Sequence, residues 1–300
     1  MIKLSEVFFL INPFSGKKQS DTLVYLLKTK YPEIKYHVSF SRDEAARILA
    51  ENIEKFLVVV IAGGDGTINQ AIPFFMHRKD KILAVYPTGS GNGFAMETGF
   101  TKNIRKLMDA ITKGRSNDID IIRCNEHHAI NIAGLGLDGY IANLFMHQHI
   151  RGFWKYAMLT AKALVGFSPF SADIETGGQT LQGKFMGIVL ANTRQFGNRA
   201  YIAPKSKPTD GKIDVVLIKA MPPWQMFSFF IRLFTNQITD GKYIRYFQTS
   251  DDVQIKTNYT FAHADGEPFS ISGFMDVRII PGVIRILTIS PDIEEINNPS

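Results

Sequence analysis

The fold is decided by the stretch Leu57-Val58-Val59-Val60-Ile61-Ala62-Gly63-Gly64-Asp65-Gly66-Thr67-Ile68-Asn69. Its first half is a run of apolar, mostly β-branched residues, which predicts a strand buried on both faces, as at the centre of a parallel sheet. Three glycines in four positions follow, and a helix-compatible segment comes after them. Because glycine has no Cβ, a ligand can approach such a turn closely, and the backbone amides at the helix start form a phosphate cradle.

Asp65 adds a carboxylate to this predicted cradle. There it could hold Mg²⁺ or accept a proton. The competing interpretation is a tight strand-to-helix turn without a ligand, since glycine-rich turns are common. The loop alone leaves both interpretations open.

The bulk composition indicates a globular protein of two ordinary domains. The chain has 300 residues, 45% hydrophobic and 21% charged, with the single cysteine Cys124. One cysteine allows no internal disulfide and is typical of a reducing compartment. Neither a secretory signal nor an apolar run near the ~18 residues of a membrane span is visible. These features predict a cytoplasmic protein without a transmembrane segment.

The positive charge is concentrated in the first part of the chain. Net charge is +6, and residues 1–124 hold 18 Lys and Arg against 13 Asp and Glu, whereas residues 125–300 hold 16 against 15. This excess suits a polyphosphate ligand or an anionic membrane, although scattered surface lysines explain much of it. Nucleic acid is not an expected partner, because there is no basic run and no aromatic stacking ladder.

Strand and helix patterns alternate in the first 120 residues. Repeated units of this kind predict a parallel sheet covered by helices on both faces. The predicted strands are Glu6–Ile11, Ile34–Phe40, Val58–Ile61 and Lys81–Tyr86, and the predicted helices are Gln19–Lys30, a helix capped by Ser41, a helix disturbed at Pro73, and a helix from Asn103 to Gly114. The loops at 12–16, 63–69 and 89–93 follow strands, so we expect them to meet at one sheet edge.

Strand patterns dominate after about Asn117. They predict a mostly antiparallel sandwich or flattened barrel over residues 121–300, with its last residues packing back on the α/β domain of residues 1–120. Turns are expected at Gly177-Gly178 and Pro281-Gly282. The predicted strands are Asp118–Arg123, His128–Ala133, Phe170–Thr176, Lys184–Asn192, Lys212–Lys219, Tyr243–Thr249, Val253–Thr257, Thr260–Ala264, Phe274–Ile280 and Val283–Ile289, and the helices lie near Tyr140–His147, Phe153–Val165 and Trp224–Phe234.

Four motifs together carry a family resemblance. They are Asn-Pro-x-Ser-Gly at 12–16, Gly-Gly-Asp-Gly-Thr-x-Asn at 63–69, Pro-x-Gly-Ser-Gly-Asn at 87–92 and Asp-Gly-Glu at 265–267. In this order and spacing the chain resembles, over nearly its whole length, the diacylglycerol kinase catalytic-domain family, which includes bacterial lipid kinases and sphingosine kinases. The resemblance implies a Rossmann-like α/β domain of the NAD kinase and diacylglycerol kinase type and a C-terminal β-sandwich. It also implies ATP-dependent phosphorylation of a lipid hydroxyl between the two domains.

The resemblance also assigns site residues. Glu267 matches the proton acceptor, Asp65 matches a carboxylate of nucleotide handling that serves as base in sphingosine-kinase-like members, and Asp265 is either catalytic or orients its loop. The alternative without a catalytic role is that residues 265–267 form an exposed hairpin turn, since Asp-Gly is a strong turn dipeptide. The residues implied to hold ATP are Asn12, Pro13, Phe14, Ser15, Gly16, Ser39, Gly63, Gly64, Asp65, Gly66, Thr67, Ile68, Asn69 and Ser90.

Two further sites are implied or left open. The loop 203–212 is similar to one that binds a structural Mg²⁺ in bacterial members, where Asp210 would give its carboxylate and Lys207 and Lys212 their backbone carbonyls. Asp138, after a glycine turn, either caps a helix or lines the lipid hydroxyl site. The apolar segment Trp224–Phe234 either packs on the sheet or touches a membrane.

The resemblance does not determine which molecule accepts the phosphate or which partners the protein binds. The third loop reads Gly-Ser-Gly-Asn-Gly-Phe-Ala at 89–95, closer to sphingosine kinases, so both diacylglycerol and a sphingoid base are acceptor candidates. A lipid substrate implies a peripheral location at the inner face of the membrane. The alternatives are an NAD kinase-like enzyme with a soluble acceptor and a nucleotide-binding regulator without turnover. The oligomeric state is open, a homodimer included.

Overall fold

The computed structural model describes residues 1–89, 91–137 and 167–289 of the chain. The chain divides into two compact units: Met1–Ile119 together with the segment that starts at Gly282, and Asp120–Pro281. Within the described ranges, no helix combines the length and apolarity needed to cross a membrane.

A parallel sheet forms the centre of the first unit. The central strand is buried at every position, as its apolar run predicts, and pairs in parallel with both neighbours, for example through Phe9↔Val60 and Val60↔Ala84. The end of the last strand also pairs in parallel, through Ile286↔Leu83. The strands are β1 (Val7–Ile11), β2 (Lys35–Val38), β3 (Val58–Gly63) and β4 (Ile82–Pro87), in the order β4-β3-β1-β2.

The helices of the first unit begin and end where local chemistry predicts. The Ser41 hydroxyl accepts the N–H of Glu44 at 3.1 Å, and the Asn103 side chain accepts the N–H of Lys106 at 3.2 Å. Gly114 ends its helix with φ +69°, which favours glycine. Both predicted N-caps and this C-cap are therefore confirmed. The helices are α1 (Lys17–Lys30), α2 (Arg42–Asn52), α3 (Asp65–Phe75, which contains Pro73), α4 (Gly93–Glu97) and α5 (Ile104–Lys113).

Antiparallel pairing dominates the second unit. One path of neighbouring strands runs β14-β13-β7-β9-β8-β12-β15, and β10 lies between β9 and β11. The strands are β5 (Ser116–Cys124), β6 (His127–Ala129), β7 (Ile132–Gly136), β8 (Phe170–Thr176), β9 (Gln179–Ala191), β10 (Ile213–Lys219), β11 (Ile244–Thr249), β12 (Val253–Thr257), β13 (Phe261–Ala264), β14 (Glu267–Ser270) and β15 (Phe274–Leu287), and the helix α6 spans Pro223–Phe234. The expected fold class, a parallel α/β domain followed by antiparallel strands, is confirmed.

Two predicted strand boundaries are wrong. The turn expected at Pro281-Gly282 does not end a strand: β15 runs through both residues to Leu287, and the φ of +53° at Gly282 is a local irregularity within it. The strand expected over His128–Ala133 is two strands. It is interrupted because the N–H groups of Ile130 and Asn131 donate to the Asp265 carboxylate. The helices predicted near residues 140–147 and 153–165 lie outside the described residues.

Candidate functional site

Side-chain and backbone hydrogen bonds bring the three glycine loops of the first unit together. Asn12, directly after β1, donates from Nδ2 to the Thr67 hydroxyl at 2.9 Å, and its Oδ1 accepts the N–H of Phe14 at 2.9 Å. The N–H of Thr88, after β4, donates to the Gly63 carbonyl at 2.9 Å. The predicted convergence of the three loops at one edge of the parallel sheet is thus confirmed.

Two glycines in these loops are required by close backbone approach. A Cβ built at Gly89 would lie 2.7 Å from the Cα of Gly64, and a Cβ built at Gly16 would lie 2.4 Å from the Thr88 carbonyl oxygen. Both distances are shorter than real Cβ contacts allow. The loops therefore pack main chain against main chain, and phosphate cradles are built from main chain of this kind.

Asp65 connects the second loop, residues 63–69, to the end of the third loop, residues 89–93, through hydrogen bonds. Its Oδ2 accepts the N–H of Gly93 at 3.0 Å, and its Oδ1 accepts the N–H of Phe94 at 3.2 Å, at the start of α4. Burial raises the pKa of the Asp65 carboxyl, and these amide hydrogen bonds oppose the shift. Each carboxylate oxygen thus has a backbone partner.

Three buried polar atoms in these loops lack a hydrogen-bond partner in the part of the chain that the structure describes. They are Ser15 Oγ, Thr88 Oγ1 and Asn92 Oδ1. Buried polar atoms of native proteins are nearly always hydrogen-bonded. Two hydroxyl donors without acceptors, beside packed glycine loops, fit a ligand with phosphate oxygens.

An exposed aromatic pair joins the first loop, to which Phe14 belongs, to Phe40 after β2. Phe14 and Phe40 both expose more than half of their surface, and their rings meet edge to face with centroids 6.2 Å apart. Ser39, just before Phe40, is buried and its hydroxyl donates to the Ser41 carbonyl at 2.8 Å. Flat, exposed rings of this kind suit stacking with a heteroaromatic base.

The remaining residues predicted for this site are placed around the same edge. Pro13 lies in the turn after β1, and Gly66 and Thr67 form the first turn of α3. Ile68 is buried in the core, so only its main chain can serve a ligand, whereas Asn69 is partly exposed. Ser90 lies outside the described residues.

In the second unit, Asp265 and Gly266 form the two-residue turn of a hairpin. Both have positive φ, +51° and +81°, as a type I′ turn requires, and Ala264 pairs with Glu267 across it. The Asp265 carboxylate accepts N–H groups from an adjacent segment, from Ile130 at 2.9 Å, Asn131 at 2.8 Å and Ile132 at 3.0 Å. The hairpin turn, which was the alternative to a catalytic loop, is present, and Asp265 anchors it; a catalytic contribution of these residues stays a prediction.

His263 supports the same turn, although the sequence interpretation missed it. It is buried, and its Nδ1 accepts the N–H of Gly266 at 3.2 Å. A histidine on a strand, two residues before an Asp-Gly turn, is the signal that could have indicated this contact. Glu267 follows the anchored turn as the first, half-buried residue of β14.

The loop 203–212 is held by acidic residues. Asp210 Oδ1 accepts the N–H of Lys212 at 3.1 Å, and burial raises the pKa of its carboxyl against the opposing charges of Lys212 and Lys207. The buried Asp120, missed by sequence reasoning, accepts the N–H of Gly211 at 2.8 Å and donates its own N–H to the Pro208 carbonyl. Asp138, predicted for the acceptor site, lies outside the described residues.

The loop 203–212 does not offer a cluster of carboxylates for a metal ion, so most ligands would have to be other oxygen atoms. In residues 1–89, 91–137 and 167–289, no group of three or more His, Cys, Asp or Glu side chains could hold a metal. A cation beside Asp210 would need one carboxylate, backbone carbonyls and water. Such an all-oxygen set is the kind that Mg²⁺ accepts.

Two family models match the chain. The model described as "Diacylglycerol kinase catalytic domain" matches residues 6–124, and the model described as "YegS C-terminal NAD kinase beta sandwich-like domain" matches residues 131–288. A protein of Shewanella frigidimarina named "Probable lipid kinase YegS-like" is 27% identical over 95% of this chain and 94% of its own length.

Solved structures share the fold at lower identity. A diacylglycerol kinase of Bacillus anthracis superposes with a TM-score of 0.75 at 19% identity, over 98% of this chain and 100% of that chain. An NAD kinase of Archaeoglobus fulgidus, solved in complex with ATP, superposes with a TM-score of 0.56 at 13% identity, over 96% of both chains. These two likenesses concern the fold.

Proposed function

Because the chain belongs to the diacylglycerol kinase catalytic-domain family, we propose that it is an ATP-dependent lipid kinase. The family consists of phosphotransferases, and the proposed reaction moves the γ-phosphate of ATP to a lipid hydroxyl. One observation carries the proposal for this chain: three glycine loops packed main chain to main chain leave the buried hydroxyls of Ser15 and Thr88 without partners among the described residues.

The phosphate chain of ATP is proposed to lie against these loops. The Ser15 and Thr88 hydroxyls would donate to phosphate oxygens, and the packed backbones would contribute N–H groups. The exposed rings of Phe14 and Phe40 would receive the base. Mg²⁺ bound with ATP would neutralise charge on the phosphate oxygens, which is the main demand of phosphoryl transfer.

Glu267 is proposed as the proton acceptor for the attacking hydroxyl. Support comes from the anchored turn that precedes it, in which the Asp265 carboxylate binds three backbone N–H groups and His263 binds a fourth. A base is effective when its position is fixed before the reaction. Asp265 would therefore act as a positioning residue.

Asp65 is proposed to organise the nucleotide loops. Each of its carboxylate oxygens accepts an N–H of α4, from Gly93 and Phe94, and this bonding supports a structural contribution to nucleotide handling. Asp210, with the carbonyls of Lys207 and Lys212, is proposed to hold a second, structural cation.

The experiment that tests this function is incubation with γ-labelled ATP and a panel of acceptors. The panel contains diacylglycerol, phosphatidylglycerol, ceramide, sphingosine and NAD, and the matched control is Glu267→Gln. Label on diacylglycerol or a sphingoid base, absent with the variant, is the expected result. Label on NAD alone would replace the proposal by an NAD kinase, and no label on any acceptor would favour a nucleotide-binding regulator.

A further inference from the structure

A row of large apolar side chains on α6 faces solvent. Trp224, Phe227 and Ile231 expose 71%, 70% and 49% of their surface. Their spacing of three and four residues places them on one side of the helix. This row is named the α6 apolar face.

The opposite side of α6 already attaches the helix to the second unit. Leu233 is buried in a core cluster with Val216 and Ile244, and Phe229 and Phe230 pack against that cluster. The helix therefore does not need the α6 apolar face in order to fold. Single exposed apolar residues are ordinary, but an ordered row of three large ones marks an interaction surface.

The charges around α6 are mostly positive. Residues 215–250 contain four basic side chains and one acidic side chain, Asp240. Arg232 is used within the unit, where it donates to the Gln237 carbonyl at 2.9 Å, and Arg245 pairs with Asp240 at 3.4 Å.

The other two basic residues of this stretch are exposed lysines, and Nζ of Lys242 lies 5.2 Å from the centroid of the Tyr243 ring. Lys219 and Lys242 are exposed, and neither forms an ion pair with a carboxylate in the part of the chain that the structure describes. The N–H of Lys219 donates to the Tyr243 carbonyl at 2.9 Å, so the main chain of Lys219 lies beside the residue that follows Lys242. Lys219 lies four residues before the start of α6.

We propose that the α6 apolar face and its two lysines dock on an anionic lipid bilayer. A helix with an apolar side, a tryptophan and neighbouring lysines is the pattern of interfacial helices, in which apolar burial and attraction to anionic headgroups add. A second copy of this chain is the weaker occupant, because it would bring the same lysines against these. The proposal is independent of the acceptor, although a bilayer would also present a lipid substrate.

Vesicle sedimentation tests the apolar part of the surface. The full chain should bind vesicles of equimolar phosphatidylglycerol and phosphatidylcholine, and the triple variant Trp224→Ser, Phe227→Ser, Ile231→Ser should lose about tenfold or more in binding. The matched control is Tyr25→Ser, an equally exposed aromatic residue on α1, which should bind as the parent does. Thermal unfolding of all proteins checks that the variants stay folded.

A second variant tests the charged part without touching the apolar face. Lys219→Gln with Lys242→Gln should weaken binding to the anionic vesicles severalfold and leave the weak binding to pure phosphatidylcholine unchanged. Trp224 gives a direct readout, because the only other tryptophan in the sequence is Trp154. In a Trp154→Phe background the emission of Trp224 should shift to shorter wavelength when anionic vesicles are added.

Two outcomes would overturn the proposal. One is vesicle binding by the triple variant equal to that of the parent. The other is a parent dimer in sedimentation velocity that becomes monomeric in the triple variant, with vesicle binding unaffected, which would assign the face to a second copy. Phosphorylation of a water-soluble short-chain diacylglycerol without vesicles separates this surface from the proposed function, because the triple variant should retain it.

Discussion

The Asp65 carboxylate lies 3.0 Å from the backbone nitrogen of Gly93 and accepts its N–H. These two residues are 28 positions apart and belong to different glycine loops. The contact links the second loop to the start of α4, so a change at Asp65 should alter the position of both. Its partly buried carboxylate also makes the stability of the protein sensitive to pH.

The change Asp65→Asn should remove a specific pH dependence of stability. Burial raises the pKa of Asp65 above its ordinary value of 3.8, so the folded protein binds this proton more tightly than the unfolded chain does. The free energy of unfolding contributed by Asp65 therefore falls as pH rises from about 4 through the raised pKa, and is constant above it.

Urea unfolding of the parent and of Asp65→Asn between pH 4 and neutral pH measures this effect. The stability of the parent minus that of the variant should decrease with rising pH and then level off. Because the amide can accept from only one of the two N–H groups, a constant offset is also expected. A difference that stays flat across the whole range would contradict the assigned burial of the charge.

Gly89→Ala should disrupt the contact between the second and third loops. The added Cβ would lie 2.7 Å from the Cα of Gly64, and a main chain cannot move aside as a flexible side chain can. We expect a loss of about 1–3 kcal/mol in the free energy of unfolding, together with weakened ATP binding. The matched control is Gly241→Ala, where an added Cβ meets nothing within 4 Å, measured by the same urea unfolding and by calorimetric titration with ATP. Equal stability of the two variants would show that the loops are not packed as described.

Ser15→Ala should lower the affinity for ATP without lowering the stability of the free protein. The Ser15 hydroxyl is buried without a partner among the described residues, so its removal from the free protein should cost no stability. If the hydroxyl donates to a phosphate, ATP affinity should fall by about three- to tenfold, the value of one hydrogen bond. Titration calorimetry with a non-hydrolysable ATP analogue and thermal unfolding give the two quantities. Unchanged affinity would remove Ser15 from the proposed phosphate site.

Most of the first unit could be predicted because its signals are local. An apolar run of β-branched residues specifies β3, and the Ser41 and Asn103 side chains cap helices within three residues of themselves. The convergence of the glycine loops followed from a topological rule, since carboxyl ends of parallel strands meet at one edge. The Asp-Gly turn could likewise be predicted from two adjacent residues.

The contacts that fix the candidate site could not be predicted, because they join distant parts of the chain. Asp265 binds the N–H groups of Ile130 and Asn131, 134 or more residues away, and no local pattern encodes that pairing. The same contact divides the strand expected over His128–Ala133. The exposure of the apolar row on α6 could not be predicted for a related reason. Spacing shows that apolar residues share one side of a helix, but it does not show whether another element covers that side.

The Asp-Gly-Glu hairpin gives two variants that should both lose turnover but differ in stability. Glu267→Gln keeps the shape of the side chain and removes its charge. If Glu267 is the proton acceptor, as proposed, turnover should fall by about 10²–10⁴, with stability and ATP affinity unchanged. Asp265→Asn should lower stability by about 1–3 kcal/mol, because an amide cannot accept all three N–H groups from Ile130, Asn131 and Ile132. Its turnover should also fall, through displacement of the turn, while ATP affinity stays the same. Steady-state kinetics, thermal unfolding and ATP titration of both variants separate proton transfer from positioning. Parent-level turnover in Glu267→Gln would reject Glu267 as the base, and parent-level stability in Asp265→Asn would reject the anchor.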